Sequence, residues 1–376
     1  MKTVRKPEKN NMLFTRAGEP HRQPFRKLLA LFFAAVLLML LAVAGSIVYV
    51  DPFFVYHAPL PGFPYVVDNQ LSQNPGMARH MEYDSIVTGS SMTFNFDMND
   101  FRSLLGLNTL KLSYAGAYPH NNAVIMDVVF EREDIRAVFL PVDIPTMTGG
   151  TDETKYPVPW YLYDRNPLND APYLLSQDVL LQYILKPLIQ REPTDLAHVY
   201  ADTWRTEEWY GTEKVLADYI PAPRTDTETA PEELTGPAAR NLEVNLLPYI
   251  EAHPETTFYL FYPPYSILYW YNLVREGRFE ATLSEIAYIN ERLLAYENTR
   301  VFFFQDDAAY VTDLSHYADY THYHPDMNRE MVARFADGTG EIRDGADTEA
   351  ALERVRRMTS SFDFDALFAA YGIEAD

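Results

Sequence analysis

The sequence predicts an α/β protein, a doubly wound domain with a parallel five-stranded sheet, preceded by one transmembrane helix. Three observations predict it. Short, almost continuously apolar runs rich in β-branched and aromatic residues alternate with helical stretches, the pattern of strands covered on both faces. Ahead of them lies a charge-free run of 23 residues, Leu28–Val50. The length of 376 residues, with 47% apolar, suits one large α/β domain carrying insertions.

Residues 1–27 hold eight Lys/Arg against Glu8 and Glu19, a net +6. The run "LLALFFAAVLLMLLAVAGSIVYV" that follows reaches roughly 34 Å as a helix, enough for a bilayer core. Cations before it predict a cytoplasmic basic segment and a translocated remainder, residues 51–376. "AVAG" at Ala42–Gly45 resembles a signal-peptidase site, but the apolar run continues to Val50, longer than a usual signal core, which favours an uncleaved anchor.

After an extended Pro- and aromatic-rich lead-in, strands are predicted at 84–89, 109–114, 135–143, 256–264 and 299–306, and helices near 98–105, 119–131, 235–252 and 279–296. The expected strand order is the flavodoxin-like 2-1-3-4-5. Residues 145–233 break the rhythm. They read as an insertion with one helix near 175–188, lying over the active edge of a domain spanning 51–340. A helix near 326–336 closes the sheet, and residues 341–376 read as an acidic, helical C-terminal tail.

Composition excludes some functions. There is no cysteine, hence no disulfide, thiol nucleophile or Cys-ligated metal. The whole chain carries −22 and the part after residue 27 carries −28, a charge that opposes nucleic-acid binding. No cofactor motif is present.

Ligands and catalytic groups in open α/β sheets sit at the carboxyl ends of strands. Gly89-Ser90-Ser91 ends the first strand and Gly116 follows the second. After the fifth comes "DLSHYADYTHYHPDMN", with Asp313, His316, Asp319, His322 and His324. A serine hydroxyl is a poor nucleophile until a base takes its proton, a histidine suits that task, and a carboxylate fixes the histidine tautomer. Asp319 and His322 are three residues apart, close enough for a tight turn to join them. Backbone N–H groups at Ser91 and Gly116 are candidate oxyanion donors. Other readings compete. Either serine could cap a helix. His316, His322 and His324 could hold zinc, though their spacing matches no common zinc motif. The stretch "FYLFYPPYSILYWYNL" at 258–273 reads as a sugar-stacking platform or as core with a membrane-proximal aromatic belt. Asp143 and Tyr265 share that edge, and His120 reads equally as a surface-loop residue or a ligand.

The blocks "IVTGSSMT", Gly116 and "DYTH" resemble those of SGNH/GDSL-type hydrolases, with Ser90 in place of the usual aspartate. "VDPFFVYH", "YDSIVTGSSMT" and "THYHPDMN" resemble, across nearly all of residues 50–336, a group of single-pass bacterial membrane proteins with an SGNH-like extracytoplasmic domain. More distantly, the chain resembles the D-alanyl transfer protein of teichoic acids and the alginate O-acetylation proteins. The resemblance implies a three-layer SGNH fold and acyl-ester chemistry, with Ser91 as nucleophile, Asp319 and His322 as its partners, and Ser90 as the less suited serine. His324 is a second candidate base. The family's third block, Gly-x-Asn-Asp, is absent, and "LPVDIPTMTGG" stands there. Asn122 or Asn95 are the candidate replacements for its oxyanion asparagine. The expected function is thus an esterase or O-acyltransferase on a cell-envelope glycan or glycopolymer, with a membrane-bound acyl-donor protein as partner if it is a transferase. The alternative is a catalytically degenerate scaffold that binds glycan or an export partner.

Overall fold

A computed structural model describes residues 22–201 and 207–373. Residues 1–21 of the basic segment 1–27 lie outside the described residues. Six strands form one sheet: β1 Ser85–Val87, β2 Thr109–Lys111, β3 Ala137–Pro141, β4 Thr257–Tyr262, β5 Thr299–Phe303 and β6 Glu341–Ile342. Their spatial order is 2-1-3-4-5-6. The first five are parallel, with Ile86 opposite both Leu110 and Val138, Phe139 opposite Tyr259 and Leu260 opposite Val301. Val138, Phe139, Leu260, Phe261, Val301 and Phe302 are fully buried, as parallel strands covered on both faces require.

The expected five-stranded parallel sheet needs one correction. β6 adds antiparallel to β5, Phe302 facing Glu341. Its side chain anchors the edge: Glu341 accepts from Arg300 Nε at 2.8 Å and Nη2 at 2.6 Å. Two residues show no periodicity, so this strand carries no sequence signal.

The main helices in chain order are α1 Arg22–Val50, α2 Gln70–His80, α3 Pro119–Val129, α4 Pro231–Asn245, α5 Ile267–Arg275, α6 Phe279–Leu293, α7 Pro325–Asp337, α8 Gly345–Ser361 and α9 Phe364–Tyr371. The segment read as an acidic tail thus supplies β6, α8 and α9, with Val355 and Phe368 buried in the core. α2 corrects the extended lead-in expected there. Its Pro75 and Gly76 disguise it, but Asn69 Oδ1 caps it by accepting from Ser72 N (3.2 Å), and buried Gln73 ties it to its surroundings, donating to the carbonyls of Pro52 (3.0 Å) and Val66 (2.9 Å). A side chain at Gly76 would place its Cβ 2.0 Å from the Phe53 carbonyl oxygen, so only glycine lets α2 approach that turn. The 258–273 stretch is core rather than a sugar platform: it forms β4 and α5, and Tyr262, Tyr265 and Trp270 are buried.

From Phe25 to Val50 α1 is long and apolar enough to cross a membrane, and its side chains as far as Leu41 are almost all exposed. Its end is clamped to the domain. Buried Asp51 accepts the backbone N–H groups of Val55 (2.9 Å), Tyr56 (2.7 Å) and His57 (3.0 Å) and the hydroxyl of Tyr173 (2.8 Å). Tyr65 donates to the Val50 carbonyl at 2.6 Å.

One core group sets a pH dependence. Glu285 of α6 is fully buried beside Tyr262 and Tyr269, and neither carboxyl oxygen has a hydrogen-bond partner among the described residues. Burial, only partly offset by Arg278, pushes it up to about 8 from an ordinary 4.5. The folded chain therefore keeps a proton that the unfolded chain releases, and stability falls as pH rises between those values. Against Glu285→Gln, the wild type should lose about 1.4 kcal/mol of relative stability per pH unit over that range. Thermal unfolding of the detergent-solubilised proteins from pH 5 to pH 8 checks this, and parallel curves would refute it.

Candidate active site

β1 lies between β2 and β3, so the chain leaves β1 on one side and returns on the other. The carboxyl ends of β1 and β3 flank this switch point, where open α/β sheets bind ligands. Gly89, Ser90 and Ser91 follow β1 there, and Asp143 follows β3. Gly89 has φ +141°, and a Cβ on it would lie 2.5 Å from the Pro141 ring, so this position admits only glycine.

The two serines divide two tasks. Ser90 caps the short 3₁₀ turn Ser91–Thr93: its Oγ accepts from Met92 N at 3.3 Å. The capping reading thus holds for Ser90. Ser91, half-buried, points its hydroxyl at His322, with Oγ 2.8 Å from Nε2 across a separation of 231 residues.

The loop carrying His322 is held from three directions. Tyr317 and Tyr323 form an antiparallel bridge, and Ala318 N donates to His322 O at 2.8 Å. Ser266, at the start of α5, donates through its Oγ to the Tyr320 carbonyl (2.7 Å), and Tyr317 donates to the Pro264 carbonyl (2.8 Å). Tyr323 donates to the Met92 carbonyl at 2.7 Å, tying this loop directly to the serine turn. Within the loop, Asp319 Oδ1 accepts from Thr321 N and His322 N, both at 2.8 Å, and Asp319 Oδ2 is 2.6 Å from His322 Nδ1. Burial raises the Asp319 carboxyl, but the hydrogen bond and charge of His322 and the two backbone N–H groups outweigh it and hold the group at about 2. Asp319 is therefore a carboxylate at neutral pH, and it orients the imidazole with Nε2 toward Ser91.

The other candidates stand apart from this chain of contacts. His324 caps α7, its Nδ1 accepting from Asp326 N at 3.2 Å, and its ring meets Tyr210 edge-on. His316 Nε2 is 3.6 Å from Asp313. Among the described residues no three His, Asp or Glu side chains converge as a metal-binding set. Asn122 Oδ1 accepts from Thr88 Oγ1 at 3.3 Å, linking α3 to β1. Asn95 donates to the Tyr210 hydroxyl (3.2 Å) and the Tyr323 carbonyl (3.4 Å). Gly116 lies beneath Lys155 and opens onto a cleft of about 420 Å³ lined also by Tyr114, Asn121 and Tyr156, a cleft whose walls do not include Ser91.

Sequence reasoning gave little weight to Asp143, which the fold brings to the centre. Its carboxyl accepts a hydrogen bond from Tyr265, lies beside the Ser90 hydroxyl and feels the charge of His322. Burial pushes the group up, against the pull of those neighbours. The available signal was position: Asp143 ends the third strand, the element that shares the switch point with Gly-Ser-Ser. Asp143→Asn keeps an acceptor for the Tyr265 hydroxyl, so the variant should fold as wild type does. Its kcat in steady-state ester hydrolysis should fall by less than about tenfold, because the Ser91–His322 and His322–Asp319 contacts remain. A loss of about 10³-fold would instead place Asp143 among the groups that carry the reaction.

No family model matches the chain, and no curated protein matches it. A solved structure from Streptococcus pneumonia, provisionally described as a platelet activating factor, is similar at 11% identity, over 71% of this chain and 88% of that one, with a TM-score of 0.37. The likeness is remote, and the reading of the site rests on its own geometry.

Proposed function

We propose that the chain is a membrane-anchored extracytoplasmic serine esterase or O-acyltransferase of SGNH type, acting on acyl esters of a cell-envelope glycan or glycopolymer. The observation that carries this reading is the 2.8 Å contact between Ser91 Oγ and His322 Nε2, with Asp319 2.6 Å behind the ring. Ser91 Oγ attacks the acyl carbonyl as its proton passes to His322 Nε2. The backbone N–H group of Ser91 is the proposed donor to the oxyanion that forms. Collapse expels the alcohol, which takes the proton from His322 and leaves an acyl-serine. Water, or a sugar hydroxyl in a transferase, then gives its proton to His322 and attacks the acyl group, and His322 returns that proton to Ser91 Oγ as the acyl product leaves. A membrane-bound acyl donor fits the transferase branch.

A second reading, a catalytically degenerate scaffold that binds glycan, draws support from the asparagines. Among the described residues neither Asn95 nor Asn122 is hydrogen-bonded to Ser91 or His322. Treatment of the full-length protein with a fluorophosphonate, followed by intact-mass and peptide analysis, separates the two. An enzyme gives one adduct, on Ser91, and turns over p-nitrophenyl acetate. A scaffold gives neither.

A further inference from the structure

The helix Val179–Gln190, inside the 145–233 insertion, is apolar on both flanks. One flank is buried in the domain through Val179, Ile184 and Pro187. The other is bare: Leu181, Leu185, Leu188 and Ile189 are 38%, 44%, 49% and 82% exposed. Their spacing of 4, 3 and 1 residues aligns them as a single stripe. A helix on a water-facing surface carries polar residues there, whereas one that is apolar all round is buried in protein or in lipid. A contiguous stripe of this kind marks an interaction surface.

Its place in the fold says what covers it. The helix packs against the domain-proximal end of α1. Phe53, three residues past α1, meets the Tyr183 ring edge-on at 5.0 Å and stacks on Tyr173 at 5.2 Å. The Asp51 clamp fixes that corner, joining the end of α1 to Tyr173, just upstream of the helix. The helix is therefore held beside the end of α1. Lys186 and Arg191, both exposed, put two cations on the helix and at its end, where phosphate headgroups lie beside an interfacial helix.

We propose that Val179–Gln190 lies in the headgroup–acyl boundary of the bilayer that α1 enters, as a second, in-plane contact that fixes the orientation of the domain on the membrane. This rests on the reading of α1 as a membrane anchor. The natural chain has no cysteine, so single labels report cleanly. The environment-sensitive fluorophore NBD is attached to Ile189→Cys, to Leu38→Cys in α1 and to Val244→Cys on α4. Each full-length protein is placed in phosphatidylethanolamine–phosphatidylglycerol nanodiscs, with or without doxyl-labelled phosphatidylcholine. The labels at 38 and 189 should lose about half their emission to the doxyl lipid, with the shallow 5-doxyl probe most effective at 189, while the label at 244 is unaffected. Quenching at 38 with none at 189 overturns the proposal and leaves the anchor intact, as does disulfide formation between two copies through residue 189 without lipid quenching. No quenching at 38 overturns the anchor, and the proposal with it.

Discussion

Ser91→Ala should lower acyl-ester turnover by at least about 10³-fold and abolish fluorophosphonate labelling, with the fold intact. The hydroxyl is half-buried and meets His322, and the turn beneath it is capped by Ser90. Removing Oγ therefore costs about 1 kcal/mol of stability at most. The turn, the capping bond and the Tyr323–Met92 bond all remain. Steady-state hydrolysis of p-nitrophenyl acetate, with circular dichroism to verify folding, reads the result. A variant as active as wild type would remove Ser91 from the chemistry.

Asp319→Asn should cost about 10³- to 10⁴-fold in kcat without unfolding the loop. The Asn oxygen can still accept from Thr321 N and His322 N, so the backbone turn survives. The other terminus becomes an NH₂ group 2.6 Å from His322 Nδ1, which must then accept. The ring proton moves to Nε2, the nitrogen that has to take the proton of Ser91. The pH dependence follows from the depressed carboxyl. A group held at about 2 contributes stability that is present above the ordinary carboxylate range and fades only as pH falls toward 2. Asp319 therefore adds no ionisation to the rate profile between pH 5 and pH 9. An active Asp319→Asn enzyme, or a wild-type limb near pH 4 that vanishes in the variant, would contradict the assignment.

Much of this was legible in the residues. Five apolar runs mark the five parallel strands, because most positions of a strand buried on both faces are apolar. The Asp-x-x-His spacing and the Gly-Ser-Ser ending of the first strand point to the same rim. What escaped has physical causes. β6 is two residues long and is held by Arg300 as much as by its ladder. α2 contains Pro75 and Gly76, which propensity assigns to a loop. The packing of Gly76 on Phe53 and the four bonds of Gln73 override that preference. Asp143 was underrated because its neighbours Ser90 and Tyr265 are 53 and 122 positions away, and only the folded sheet makes them adjacent. The apolar run of the insertion announced a helix, but its second bare flank is visible only once the first has been buried.

The two halves of the Ser91–His322 pair enter the fold at opposite times. Ser91 is translated early, at the end of the first strand, whereas His322 follows the fifth and needs the turn after β4 to hold its loop. On the proposed chemistry, a chain made only as far as β4 carries an alcohol whose proton acceptor does not yet exist. The pair would be completed only when the loop after the fifth strand has docked, so a half-made protein would hold no working nucleophile.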